Sequence, residues 1–355
     1  MFNGDKLKIM LFGESHGRCV GVCVEGLPYG IELDKNRIDE FSSKRKGIKA
    51  LSTSRREPDD IEIMSGIMDG CTTGGPLCAM ILNKDTRSKD YTPNIPRPSH
   101  ADLTAIGRYS GFNDYRGGGM FSGRLTAALT FVGAICDSIL EQKGVTTGVH
   151  MVRIHNVWDE GAFDMVNVQA ETLQRLNKMD IPVFAERTAE AMANEVMLAK
   201  SNGDSVGGMM ECAVVGYPPF IGANYFGRLN SKIASLVFSL PAFCSLEFGA
   251  GIMMVDKMGS EVNDGIYIDN KGDFKTYTNN SGGINGGISN GMPIILRTVV
   301  KPTPSVYKEQ DTIDINAKTN IKYSIQGRHD PCIALRANIV LRSVVNIALL
   351  DSMLG

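Results

Sequence analysis

Charge of one sign is the first thing missing from this chain. Its 37 basic and 39 acidic side chains leave a formal net charge of -2, so no global basic footprint invites nucleic acid and any anion site has to be local. Long apolar runs are missing too. The most apolar one, Leu125 to Cys136, is too short to span a bilayer. Met1-Phe2-Asn3-Gly4-Asp5-Lys6 lacks the apolar segment behind a basic start that marks a signal peptide. The eight cysteines include no Cys-x-x-Cys pair and read as reduced thiols in a cytoplasm. No Gly-x-Gly-x-x-Gly follows a strand pattern, so a stable nicotinamide site has no fingerprint. We expect a cytoplasmic protein with no membrane and no nucleic-acid partner.

What is present suffices for a core. Hydrophobic residues make up 43% and charged residues 21% of the chain, which argues against disorder. A length of 355 residues allows one large domain or two ordinary ones. No long linker, low-complexity tract or internal repeat divides it, so a single domain over 1–355 is expected. The Gly/Asn/Ser-rich stretch Asn279–Gly291 reads as a shaped loop because its glycines come in pairs.

Strand-like runs fall at Leu7–Phe12, Val20–Val24, Ile61–Ser65, Leu77–Leu82, Val145–Ile154 and Met209–Val215. Helical patterns cover Asp34–Lys46, Arg124–Leu140, Ala170–Asn177, Thr188–Lys200 and Pro331–Leu354. Arg124–Leu140 is apolar on nearly all sides, which predicts a buried helix. Ser99, with Asp102 three residues later, predicts a helix start with Ser99 as N-cap and His100 in the first turn. Asp330 before Pro331 predicts the cap of the last helix. Strands and helices do not alternate regularly, which favours an α+β sandwich over a doubly wound parallel sheet.

Chemistry concentrates in Arg97 to Thr126, a stretch holding His100, four arginines (Arg97, Arg108, Arg116, Arg124) and six glycines. A core has no use for that mixture, whereas a pocket for anions does: glycine lets backbone approach a phosphate, arginine supplies fixed charge and histidine moves protons. Further clusters are Gly13-Glu14-Ser15-His16-Gly17-Arg18, Gly282-Gly283-Ile284-Asn285-Gly286-Gly287, Lys301-Pro302-Thr303-Pro304-Ser305 and Gln326-Gly327-Arg328-His329-Asp330-Pro331-Cys332. Lys301-Pro302-Thr303-Pro304-Ser305 offers a cation and two hydroxyls on a stiff loop, a phosphate clamp. The runs Lys44-Arg45-Lys46 and Arg55-Arg56-Glu57 read locally as solvated faces. His-x-x-Cys occurs at His16–Cys19 and His329–Cys332, but Arg18 and Arg328 sit beside those histidines, and a fixed cation repels a metal. No metal is expected.

Gly-Glu-Ser-His-Gly, Arg-Pro-Ser-His-Ala-Asp, Asp-Tyr-Arg-Gly-Gly-Gly, Gly-Gly-Ile-x-Gly-Gly-Ile-x-x-Gly, Lys-Pro-Thr-x-Ser and Gly-Arg-His-Asp-Pro-Cys run in that order from residue 13 to residue 332. The ordered set resembles the chorismate synthase family across essentially the whole chain. The resemblance implies the family's β-α-β sandwich, a homotetramer, reduced FMN and the substrate 5-enolpyruvylshikimate 3-phosphate, which loses phosphate in a 1,4-elimination to give chorismate. It implies His16 as proton donor to the departing phosphate, His100 at the flavin pyrimidine edge, and Asp330 near flavin N5 through Ser122. FMN-binding positions implied in the same way are Ser122, Gly286, Lys301, Pro302, Thr303, Pro304, Ser305 and Arg328. Lys44, Arg45, Arg124 and Arg328 are the candidates for substrate phosphate or carboxylates.

The chain departs from the family pattern at Met120 and Phe121, where an arginine and a serine of a flavin-contacting trio are usual. It departs again at Lys44 and Ala50, where an arginine pair is usual, and along Phe220–Gly227. A separate flavin reductase is the expected electron source, with NADPH involved only indirectly. The alternatives are a net flavin oxidoreductase, which would consume NADPH in step with product, and a degenerate scaffold that binds FMN or phosphorylated anions without turnover.

Overall fold

The computed structural model describes residues 1–55 and 57–355; Arg56 lies outside the described residues. Two five-stranded antiparallel sheets enclose a layer of helices. The first sheet contains β1 (Phe2–Asn3), β2 (Lys8–Gly13), β3 (Cys19–Glu25), β4 (Ile61–Ser65) and β5 (Leu77–Leu82), ordered β1-β2-β3-β5-β4. The second contains β6 (Thr146–Ile154), β7 (Val157–Trp158), β8 (Gly208–Val215), β9 (Phe243–Phe248) and β10 (Ile294–Val300), ordered β9-β10-β8-β6-β7. Alternating burial along β5 puts Leu77, Ala79 and Ile81 inward, as a half-buried strand requires. This is the expected α+β sandwich, and every pairing in both sheets is antiparallel.

The helices are α1 (Lys35–Ser43), α2 (Asp102–Arg108), α3 (Thr126–Gln142), α4 (Ala170–Lys178), α5 (Glu186–Ser201), α6 (Leu229–Phe238) and α7 (Ala334–Leu354), besides several short helical turns. Helix α3 packs on β3 and β5, α7 on β6 and β8, and the two helices pack on each other. A Cβ at Gly133 of α3 would sit 2.2 Å from Cβ of Ser343 in α7, so glycine there permits the close crossing. Asp137 on the same helix binds Arg342 at 2.7 Å and Arg37 at 3.2 Å, tying α1, α3 and α7 together. The segments 123–142 and 334–354 are long and apolar enough to cross a membrane, which Leu125 to Cys136 alone is not. They are largely buried inside the sandwich. All eight cysteines are free.

Both expected helix caps are corrected by the structure. Helix α2 begins at Asp102, after Ser99 (φ 57°) and His100, because the Asp102 carboxylate turns back to Arg97 and His100. Helix α7 begins at Ala334, behind Ile333, and Asp330 does not cap it. Its carboxylate accepts from the Thr53 backbone N–H at 2.8 Å and from Arg336 at 2.6 Å.

Candidate active site

The starts of α3 and α7, the β2–β3 turn and the segment after β10 converge on one cleft of about 620 Å³, a volume in the range of small-molecule sites. Nine Lys or Arg and four Asp or Glu residues line it, so the cleft is strongly cationic although the chain is slightly negative. Two long helices also direct their N-terminal ends toward it, and that adds to the attraction for anions. His16, His100 and His329 all line it.

His16 rides on the β2–β3 turn. Asn83 fixes that turn, donating from Nδ2 to the carbonyls of Glu14 (2.9 Å) and Gly17 (2.8 Å). Arg55 donates to Ser15 Oγ at 2.9 Å and Ser15 O at 3.0 Å. Burial, then the neighbouring Arg55, pushes the His16 imidazole down to about 4. His100 Nδ1 lies 2.7 Å from Asp102 Oδ1, and Arg97 holds the same carboxylate through Nε (2.7 Å) and Nη2 (2.8 Å). Burial lowers the proton affinity of His100 and outweighs the pull of Asp102. His100 stands outside helix α2, which starts at Asp102, and not in its first turn. Burial would raise the Asp102 carboxyl, yet Arg97 and His100 more than reverse this and hold it far below the usual range.

One glycine run brings these histidines together. Gly117 and Gly118 have φ of 60° and 82°, values that side chains resist. A Cβ on Gly117 would lie 2.7 Å from His16 Nε2, and one on Gly118 would lie 3.0 Å from His100 Cε1. The two rings therefore flank one short stretch of backbone.

Behind them stands a lattice of arginines. Arg45 and Arg124 are only 5% and 6% exposed. Arg45 donates to Thr126 Oγ1 (2.8 Å) and Gly123 O (2.7 Å), and burial followed by Arg336 pushes it down to about 9. Arg124 donates to Asn83 Oδ1 at 2.9 Å and pairs through Nη1 with Asp59. Its Nη2 is buried without a hydrogen-bond partner among the described residues, Glu57 being 4.0 Å away. Thr303 Oγ1 is the other such atom on a residue lining the cleft. Unmet donors of this kind are costly unless a ligand meets them, and that is the fit expected for phosphate or carboxylate.

The other sequence candidates divide. Ser122, Lys301, Thr303, Pro304, Ser305, Arg328 and Asp330 line the same cleft. Lys301 donates to Ser99 O at 2.8 Å, and Arg328 grips Asp85 at 2.7 Å. Ser122 Oγ accepts from the Arg124 N–H at 3.3 Å. Pro302, Gly286 and Lys44 are not among the lining residues. Gly286 turns the small ribbon of Ile284–Asn285 and Ile288–Ser289, and Lys44 Nζ reaches the carbonyl of Lys178 at 2.8 Å. Met120 and Phe121 line the cleft half-exposed, as apolar surface.

Sequence reasoning missed Asn83, Asp59, Ser88, Tyr91 and Arg336, and it took Arg45 and Arg55 locally for solvated charges. Arg55 is instead held by Ser15 and by Glu57 at 2.7 Å. The tight Arg-x-Glu spacing was the one local signal. Asp59 has φ of 56°, a strain that no sequence pattern announces.

A helical layer between antiparallel sheets, with buried guanidiniums and paired histidines around one cleft, defines an enzyme acting on a small polyanion. The model of the family described as chorismate synthase matches residues 7–354. The chain is 41% identical over 354 residues to a chorismate synthase of Pyrococcus abyssi, covering 99% of this chain and 97% of the relative. It is 39% identical over 355 residues to that of Methanosphaera stadtmanae, covering 99% and 95%. A crystal structure of a chorismate synthase superposes with a TM-score of 0.77 at 25% identity, covering 99% of this chain and 92% of that one. The chain belongs to the chorismate synthase family.

Proposed function

We propose that this chain is a carbon–oxygen lyase that converts 5-enolpyruvylshikimate 3-phosphate to chorismate with loss of phosphate, using reduced FMN. One observation carries the proposal: five of the family's six separated motifs meet in a single cationic cleft whose lining includes unmet buried donors on Arg124 and Thr303. A substrate with one phosphate and two carboxylates suits that surplus of guanidinium groups. Reduced FMN, when bound, supplies the transient electron density that lets a poorly acidic ring hydrogen leave. Lys301, Thr303, Pro304, Ser305, Ser122 and Arg328 would hold it from one wall.

The side chains have distinct work. Arg124 and Arg45, fixed by Asp59, orient the anionic substrate. His16 protonates the departing phosphate. Burial and nearby guanidiniums, Arg55 foremost, hold this ring at about 4. A polyanion among the same cations offsets them, so binding raises its proton affinity and loads the acid. His100, held by Asp102, keeps a fixed ring orientation and would support protonation of the bound flavin. Asp330, fixed by Thr53 and Arg336, and Ser122 provide the second proton path. With reduced FMN and no oxygen, purified protein should release phosphate from 5-enolpyruvylshikimate 3-phosphate. Absence of turnover would contradict the proposal.

We also propose a cytoplasmic homotetramer served by a separate flavin reductase, with NADPH as a distant electron source. Exposed Ile252, Met253, Val255, Met258 and Ile266 favour burial against further copies. A continuous core from Leu7 to Leu350 supports a single domain.

A further inference from the structure

His16 is held in two separate ways. Its backbone is fixed by Asn83, by Arg55 through Ser15, and by the Ser15 N–H donating to Gly119 O at 3.1 Å. Its ring is fixed by other groups. Nδ1 lies 3.0 Å from Ser88 Oγ, Tyr91 meets the ring edge-on at 5.3 Å, and Gly117 packs along the Cδ2–Nε2 edge. Ser88 starts a short turn, Ser88–Asp90, directly after Arg87. With Nδ1 occupied, Nε2 is the nitrogen left for chemistry.

The partner chosen for Nδ1 matters chemically. At His100 the same atom faces the carboxylate of Asp102 at 2.7 Å, with Arg97 Nη2 at 3.1 Å, and the charged acceptor favours a proton on Nδ1. A serine hydroxyl oxygen also accepts from Nδ1–H, but it carries no charge to hold a proton on the ring. Loss of the proton from Nε2 leaves Nδ1–H on the neutral ring, so the Ser88 oxygen accepts from Nδ1–H both before and after the transfer. A ring that must gain and lose a proton in every cycle keeps its orientation with such a partner in both states.

We propose that Ser88 is a positioning residue for the reaction: its hydroxyl fixes Nδ1 of His16 so that Nε2 is presented to the reacting phosphate throughout the proton cycle. This rests on the proposed role of His16 as acid. The test uses the full chain with reduced FMN and 5-enolpyruvylshikimate 3-phosphate, comparing Ser88→Ala, Ser88→Thr, His16→Ala and the double variant His16→Ala/Ser88→Ala. Ser88→Ala should lower kcat roughly 10- to 100-fold, the cost of a misaligned reacting group, with KM near the parent value and the acid limb of the pH profile displaced. Ser88→Thr should restore most of the rate, and Ser88→Ala should add no further loss to His16→Ala. In the protein alone, ring-nitrogen NMR of histidine-labelled samples should show one His16 tautomer in the parent and a mixture in Ser88→Ala. A parental rate and tautomer in Ser88→Ala, or a full additional loss in the double variant, would overturn the role of Ser88. Parental turnover by His16→Ala would instead overturn the acid assignment, which its own arm reveals.

Discussion

Two clusters of buried charge in this chain have opposite characters. In the second sheet His150 Nε2 meets Asp159 at 2.9 Å, and Arg297 bridges Glu211 (2.9 Å) and Glu247 (3.1 Å). Phe163 and Phe184 close edge-on around the His150 ring. Asp159 takes a further N–H from Phe184 at 2.6 Å, so acids match or exceed cations and none of these groups lines the cleft. Each cluster holds a buried nitrogen without a hydrogen-bond partner among the described residues, His150 Nδ1 (3.7 Å from Glu211) and Arg124 Nη2, but in the cleft cations outnumber acids nine to four. A closed cluster fixes a fold, whereas a cationic surplus beside open space awaits a ligand. Burial of charge alone does not tell them apart. The balance of cations and acids does.

That contrast can be broken by substitution. The largest effect should come from His16→Ala, which removes the proposed acid and should cut kcat by about 10²-fold or more, measured as phosphate release. Arg124→Lys should follow, with kcat/KM down roughly 10- to 100-fold, because a compact ammonium lacks the planar fork that reaches Asn83 and Asp59 while directing Nη2 elsewhere. His150→Ala should do the reverse. It should cost about 3 kcal/mol in urea unfolding, by stranding buried carboxylates, while kcat of the folded enzyme stays at the parent value. Equal damage to kcat would erase the distinction between the clusters.

Smaller effects sharpen it. Burial, aided by Arg55 at His16 and by Arg97 at His329, pushes both rings down to about 4. Their folded proton affinity lies below the ordinary value of 6.5. Stability from these neutral rings is therefore complete above pH 6.5 and declines as pH falls toward about 4. Thermal melts across that window should show the decline, and His16→Ala should flatten it. The smallest change should follow Met120→Arg with Phe121→Ser, which returns polar groups to the cleft wall. FMN affinity, read by fluorescence quenching, should tighten by less than about tenfold, the scale of one exposed charged contact.

Much of the fold was legible because its signals are local. Alternation marks β5, the apolar run Ile294–Val300 coincides with β10, and the all-round apolar stretch becomes α3. Helix starts failed where a carboxylate was claimed from afar: Asp102 by Arg97 and His100, Asp330 by Thr53 and Arg336. Phe243–Phe248 and Leu229–Phe238 gave no expectation, their periodicity being blurred by half-exposed positions. At the site, resemblance supplied the motif residues, but geometry supplied their supports. Nothing local in Asn83, Asp59 or Ser88 announces that each meets a residue 41 to 72 positions away. Pro302 sits inside a matched motif and yet outside the cleft lining, its ring lying against Gly207 instead.

The central claim is that the cationic cleft eliminates phosphate without net redox change. Its most direct test is stoichiometry under strict anaerobiosis, with a limiting amount of reduced FMN and excess 5-enolpyruvylshikimate 3-phosphate. Phosphate and chorismate should appear in equal amounts, many per flavin, with the flavin still reduced at the end. FMN binding without phosphate release, or one reducing equivalent consumed per product, would contradict the account.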